Sequence, residues 1–171
     1  DDKIALLKSS GSCVFCDLSN GNFKGSDLKG VDLRYATLIG ANLSNTNLNG
    51  AILHHTNLSG ANLKGVDLSG KDLTGANLKG VFLGDADITK ATIGKETLNQ
   101  AILCNTRTID GTVSDCDLRK VDFTLTNLSG VDLSGKDLTG TTLIQTNLTG
   151  ANLSGVNLSG KDLTGTILTF A

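Results

Sequence analysis

Four cysteines, two adjacent histidines and three lysines in a recurring string are the residues whose types and spacing invite a chemical reading. Cys13-Val14-Phe15-Cys16 has the spacing of a redox dithiol, of half a metal site, or of a structural disulfide at the end of a fold. A redox role needs a thiol of depressed pKa, usually at a helix N-terminus, and the flanking sequence suggests none. Structural roles remain for Cys13 and Cys16, bonded or simply buried. His54-His55 has no Cys or carboxylate cluster beside it and reads as solvated turn rather than as a zinc ligand pair. Lys71, Lys136 and Lys161 each stand in the string Ser-Gly-Lys-Asp-Leu-Thr-Gly. There is no Ser-His-Asp constellation, no phosphate-cradling glycine loop and no acid–base pair, so the chain reads as a non-enzyme without metal or cofactor.

The element that must position these residues is a five-residue unit, as in Asn57-Leu58-Ser59-Gly60-Ala61. Call its central apolar residue i. From Leu18 to Leu168 there are 31 such positions, all Leu, Ile, Phe or Val except Thr108. Small or β-branched residues stand at i−2, Asp or Asn at i−1 in 21 of the 31 units, and usually Gly at i+2. Period five fits neither an α-helix nor a flat strand. Sustained along a chain, it specifies a solenoid whose units bury apolar groups only against their neighbours. Residues i and i−2 point inward from a short extended segment, and the Ser/Thr-Gly pair turns the corner. Four units close a coil of about 20 residues, and coils stack at about 4.8 Å.

The run from Cys16 to Leu103, and again from Asp117 to Leu168, resembles the pentapeptide-repeat family. The resemblance implies an all-β solenoid: a right-handed quadrilateral β-helix of about seven or eight coils. The string Cys104-Asn105-Thr106 … Asp110-Gly111-Thr112 … Cys116 resembles an element at the end of repeat runs in cyanobacterial-type members. Its implied role is a disulfide bracket, Cys104 to Cys116, around a loop. Cys16 and Cys104 would be about four coils, roughly 20 Å, apart, so one zinc cannot hold all four thiolates.

The chain therefore divides into a helical cap over residues 1–12, a repeat β-helix over 13–103, a bracketed loop over 104–116 and a continuing β-helix over 117–171. Asp1-Asp2 and the run Ile4 to Leu7 predict a short helix covering the open first coil, with acid at its N-terminal end. Because Leu103 and Leu118 differ by three whole units, the phase survives the loop and one continuous helix is the simplest expectation; two solenoid segments at an angle are the alternative. Lys71, Lys136 and Lys161 occupy i−2 on different faces, so they are expected to lay their stems along the wall and not to form one cationic site. Glu96 also falls on an inward i−2 position. At i−1, Ile52, Phe82, Ile102 and Ile167 replace the polar residue. Phe82 and Ile102 are expected to stack on adjacent coils as a candidate partner patch, or to lie under a loop supplied by the following segment.

Composition narrows the function further. The 171 residues include 21 Gly, no Pro and no Trp, with 15 basic against 17 acidic residues and a net charge of −2. Nothing there favours nucleic acid or anionic membrane, and no apolar run approaches a membrane span. The expected role is a structural or protein-interaction scaffold with an unknown protein partner. Four cysteines fit an oxidising compartment, the periplasm or thylakoid lumen, with the cytoplasm as the alternative. The resemblance also implies a second reading, a DNA mimic that binds a type II topoisomerase such as gyrase, against which the near-balance of charges argues. The uncovered last coil at Thr169-Phe170-Ala171 leaves monomer or C-terminal end-to-end dimer as the expected states, or a chain cut short.

Overall fold

The computed structural model describes residues 2–171; Asp1, expected at the start of the cap, lies outside the described residues. The chain folds as a β-helical solenoid. Parallel bridges join i−1 residues to their counterparts four units on, from Ser12 with Asp32 to Asp87 with Arg107, so four units make a coil. Helix α1 (Asp2–Ser10) covers the first coil, with Leu7 fully buried against the leucine column and Ile4 packed beside it. A second helical turn, α2 (Lys95–Leu98), replaces one corner. It lifts Glu96 out of the inward row and leaves it exposed, while Leu98 packs on the core.

The Asp and Asn residues at i−1 have a local task. All 21 accept, through Oδ1, the backbone N–H of the residue two further on, at 2.8–3.3 Å. This Asx-turn satisfies an N–H at the corner and pins the turn. Inward i−2 threonines act similarly from inside: Thr46, Thr56 and Thr106 donate Oγ1 to the carbonyls of Phe23, Leu33 and Leu83 at 2.7–2.9 Å.

The repeats do not continue as one helix. Among the described residues, neither Ile102 nor Arg107 is bridged to a residue one coil further on; Arg107 instead pairs antiparallel with Val113. Bridges with the one-coil spacing resume only between Asp122 and Thr142 and run to Asn147 with Ile167. The chain thus forms two stacks, residues 12–109 and 117–171, with two separate leucine cores. The expectation that the segment 117–171 continues the first helix is corrected: the second stack docks sideways on the first. An intact five-residue phase constrains only the unit, and a new stack can begin in phase with an old one.

The dock is built on the row Asn42, Asn62, Phe82 and Ile102. Phe82 and Ile102 join the core of Leu118, Phe123 and Leu128 and close the open first coil of the second stack. Polar bonds extend the seam. The Asn127 N–H donates to the Gly60 carbonyl at 2.8 Å and its Nδ2 to the Gly40 carbonyl at 2.8 Å. Asn42 Nδ2 reaches Ser129 Oγ at 3.0 Å, and Thr126 Oγ1 donates to the Gly80 carbonyl at 3.1 Å. Gly60 is required here twice over: its φ is +66°, and a β-carbon on it would stand 2.4 Å from the Leu125 carbonyl oxygen.

Candidate interaction surface

The four cysteines form two disulfides, Cys13–Cys16 and Cys104–Cys116, and no cysteine is free among the described residues. Cys13–Cys16 closes the segment directly after α1, with Cys13 buried in the first core. Cys104–Cys116 ties the end of the first stack to the start of the second, and both its residues pack on the second core. Between them lies a turn held by Asp110. Thr108 Oγ1 donates to Asp110 Oδ1 at 2.6 Å, and the N–H and hydroxyl of Thr112 donate at 3.1 and 2.8 Å. Those donors, the Thr108 hydroxyl foremost, lower the Asp110 carboxyl to about 2. The bracket therefore sets a junction between stacks rather than a loop bulging from the side of one helix.

Phe82 and Ile102 do meet on one face, joined by a parallel bridge between successive coils. Phe82 is only 2% exposed and Ile102 8%, so the expectation of an exposed partner patch at these two residues is corrected. Their cover is the second stack. Ile52 and Ile167 remain exposed.

The exposed aromatic groups lie elsewhere. Phe15, Tyr35 and His55 occupy i+2 corners of three successive coils, all with positive φ. Their rings stack, with centroids 4.9 Å apart in both steps, and Phe15 remains 75% exposed. His54 sits edge-on to His55, with its Nδ1 4.0 Å from Asp72 Oδ2. The expectation of a merely solvated corner at His55 misses this stacking; the recurrence at 15, 35 and 55, one coil apart, is the signal that places it in a ring column. No group of three or more His, Cys, Asp or Glu is arranged to hold a metal ion among the described residues.

A cleft of about 630 Å³ follows one flank of the dock, lined by Ile39, Gly60, Lys79, Gln100, Asp122 and Leu125. Ile39 and Leu125 are both well exposed there. On the other flank a cleft of about 380 Å³ is lined by Asn20, Lys24, Asn42, Asn127 and Thr149. Lys136 and Lys161, expected on separate faces, line one cavity of about 580 Å³ near the end of the second stack. Lys161 Nζ is turned inward and donates to the Leu138 carbonyl at 2.6 Å, so its head does not follow the wall out to solvent as its sequence position predicts. No helix among the described residues is long and apolar enough to cross a membrane.

A family model described as pentapeptide repeats matches eight copies, at residues 12–50, 32–70, 56–93, 109–135 and 137–169. Among solved structures, the chain is similar to HetL from the cyanobacterium Nostoc, described as involved in heterocyst differentiation regulation. The identity is 25%, coverage is 100% of this chain and 93% of that one, and the TM-score is 0.52. A weaker likeness is to a thylakoid-lumen pentapeptide repeat protein from Arabidopsis thaliana, at 26% identity, 72% and 71% coverage and TM-score 0.31. Another is to the plasmid-mediated fluoroquinolone resistance protein QnrB1, at 20% identity, 91% and 81% coverage and TM-score 0.30. No protein of curated function matches the chain.

Proposed function

The chain belongs to the pentapeptide-repeat family, and on that premise we propose that it is a non-enzymatic, disulfide-braced scaffold that binds a protein partner outside the cytosol. The observation that carries the reading is the pairing of all four cysteines, one bridge beside the cap and one at the junction of the stacks. Structural disulfides persist in oxidising compartments; the periplasm or thylakoid lumen is the proposed location. The right-handed, four-sided form of the coils belongs to the same reading. So do the lack of a cofactor, of nucleic-acid binding and of membrane insertion, and monomer or end-to-end dimer are the states it allows.

The partner-facing surface we favour is the ring column of Phe15, Tyr35 and His55, because it is the largest cluster of exposed aromatic groups and is held rigid by stacked coils. Aromatic side chains carry much of the energy of protein interfaces at low entropic cost. The similarity to HetL over the whole chain is compatible with a regulatory scaffold. A topoisomerase-binding DNA mimic is the alternative, and it would need a dense negative face that 15 basic against 17 acidic residues do not favour.

The test is the intact mass of protein isolated from its own host under native conditions, alkylated with and without prior reduction. Two intramolecular disulfides mapping to Cys13–Cys16 and Cys104–Cys116 are expected. Four free thiols would remove the extracytoplasmic reading, and a gyrase-inhibition assay would then be the next step.

A further inference from the structure

The three lysine strings place a long side chain in the inward row that elsewhere mostly holds Ala, Val or Thr. Of the inward threonines, Thr126 and Thr141 donate to Gly80 and Leu138. At the other five the hydroxyl reaches a central carbonyl of the preceding coil, as Thr146 reaches Phe123 at 2.9 Å and Thr166 reaches Leu143 at 2.7 Å. Lys161 makes the equivalent bond to Leu138 with its ammonium. A four-carbon stem needs more room than a hydroxymethyl group. In a wall whose coils lie about 4.8 Å apart, that room can come only from separating the coils.

The backbone shows the separation twice, in one register. Between the coils carrying residues 28–33 and 47–52, five ladder bonds are made. Leu28, Gly30 and Leu33 donate upward and Asn47 and Ile52 donate back, at 2.8–3.0 Å. One coil further on, the corresponding five bonds from Leu48, Gly50, Leu53, Asp67 and Asp72 are all missing among the described residues, and Lys71 lies between the two unbridged pairs. The gap is bounded by Asn45 to Lys64 at 2.8 Å and His55 to Thr74 at 2.9 Å. Around Lys161 the same five are missing, from Leu138, Gly140, Leu143, Asn157 and Asp162, bounded by Gly135 to Ser154 at 2.9 Å and Gln145 to Thr164 at 2.8 Å. Lys136 lies at the edge of the second stack, where Asp117 and Asp137 are likewise unbridged. Burial also lowers the Lys71 ammonium from its usual range, against the opposing charge of Asp67.

We infer that the inward lysines are wedges: each of Lys71 and Lys161 exchanges five inter-coil backbone bonds for a slit two sides long, and the solenoid opens at these two joints first. The coils on either side of the Lys71 slit stay laddered on their other two sides, through Asn42 with Asn62 and Asn57 with Asn77, and those at the Lys161 slit through Asp132 with Asn152 and Asn147 with Ile167. A rigid scaffold thereby acquires two places at which it can flex without breaking its leucine column.

Hydrogen exchange on the oxidised full chain tests this, resolved to single amides by NMR. The amides of Leu48, Gly50, Leu53, Asp67 and Asp72 are expected to exchange at least about a hundredfold faster than those of Leu28, Gly30, Leu33, Asn47 and Ile52. K71T, which installs the residue used at other inward positions, should slow the first set at least about tenfold. K161T should do the same for Leu138, Asn157 and Asp162. Equal protection of the two sets in the unaltered protein overturns the inference. So does a folded K71T or K161T whose slit amides exchange as fast as before, because the lysine would then not be the wedge. Should K71T fail to fold, K161T and the unaltered protein still decide.

Discussion

Gly60→Ala separates the docked arrangement from a free-standing repeat more sharply than any core truncation. At Gly60 φ is +66°, and the added β-carbon would lie 2.4 Å from the Leu125 carbonyl oxygen of the second stack. Gly25 has nearly the same φ, +65°, and nothing within 4 Å of its β-carbon position. Both alanine variants bear the left-handed backbone cost, about 1 kcal/mol. Only Gly60→Ala must also push a backbone oxygen away by about 1 Å to reach ordinary contact distance, which in a packed interface costs about 1–3 kcal/mol more. Shifting Leu125 also strains the Asn127 N–H bond to the Gly60 carbonyl, since both lie on one segment. The expected losses are therefore about 1 kcal/mol for Gly25→Ala and about 2–4 kcal/mol for Gly60→Ala. Urea titrations followed by far-UV circular dichroism, run on the two variants side by side, read the difference. Limited proteolysis should in parallel show Gly60→Ala cleaved faster around residues 107–116 at the junction. If the two variants lose the same stability within about 0.5 kcal/mol, the ordinary spread of surface substitutions, no second stack lies against Gly60 and the reasoning fails.

Further outcomes follow from the same geometry. Phe82→Ala, at a ring almost wholly buried between the stacks, should cost about 3–5 kcal/mol in the same titration. Ile52→Ala, at 38% exposure on an outer row, should cost well under half of that, and near-equal losses would place Phe82 on the surface. Replacing Cys104 and Cys116 together by serine frees a bracket of sequence separation 12 and should lower stability by about 2–3 kcal/mol; an unchanged melt would show the junction does not depend on it. In acid, Asp117 is held at about 2 by the Arg119 side chain first and its backbone N–H second. Asp137 and Asp162 are lowered by the hydroxyls and N–H groups of Thr139 and Thr164. Because these folded-state values lie below the ordinary carboxylate value of 3.8, their contribution is complete above that value. It is lost as pH falls through the depressed ones. Melting temperature should hold from pH 6 to about 4 and fall between about pH 4 and 2; a melt that is flat or rising over that window contradicts the corner bonds.

Much of the fold can be read from residue order because the repeat states each local rule some thirty times over. The leucine column and the coil of four units follow from patterns that a single unit would not secure, and the short helix before Cys13 from the apolar run Ile4 to Leu7 outside the repeat. The corner role of Asp and Asn is open to inference from their spacing to the next turn, yet it escapes notice because an outward carboxylate needs no explanation on a surface. The dock is hidden for a physical reason. Asn42 and Asn62 are ordinary corner residues whose amides happen to face a second stack, and nothing in their own unit distinguishes them from Asn57 or Asn77. Phe82 and Ile102 do mark the face. What covers them is decided by contacts spanning up to 87 residues, and an unbroken phase from Leu103 to Leu118 conceals the change of direction. The lysines are legible as misfits in the inward row, but whether a stem runs outward or between coils depends on room that only the packed wall defines.

Two stacks lying side by side bring residues from opposite ends of the repeat run together, and a distance in solution measures this. Lys24 and Thr149 line the same cleft beside the dock, although they are far apart in sequence. In one continuous solenoid they would stand about six coils, or about 29 Å, apart along the axis. Spin labels attached to K24C and T149C, with the native cysteines left in their disulfides, report this separation by pulsed electron resonance. Labels closer together than about four coil spacings, roughly 20 Å, are the predicted result. A distribution centred at or beyond the full six-coil rise would mean that the repeats run on as a single helix and that the dock does not exist.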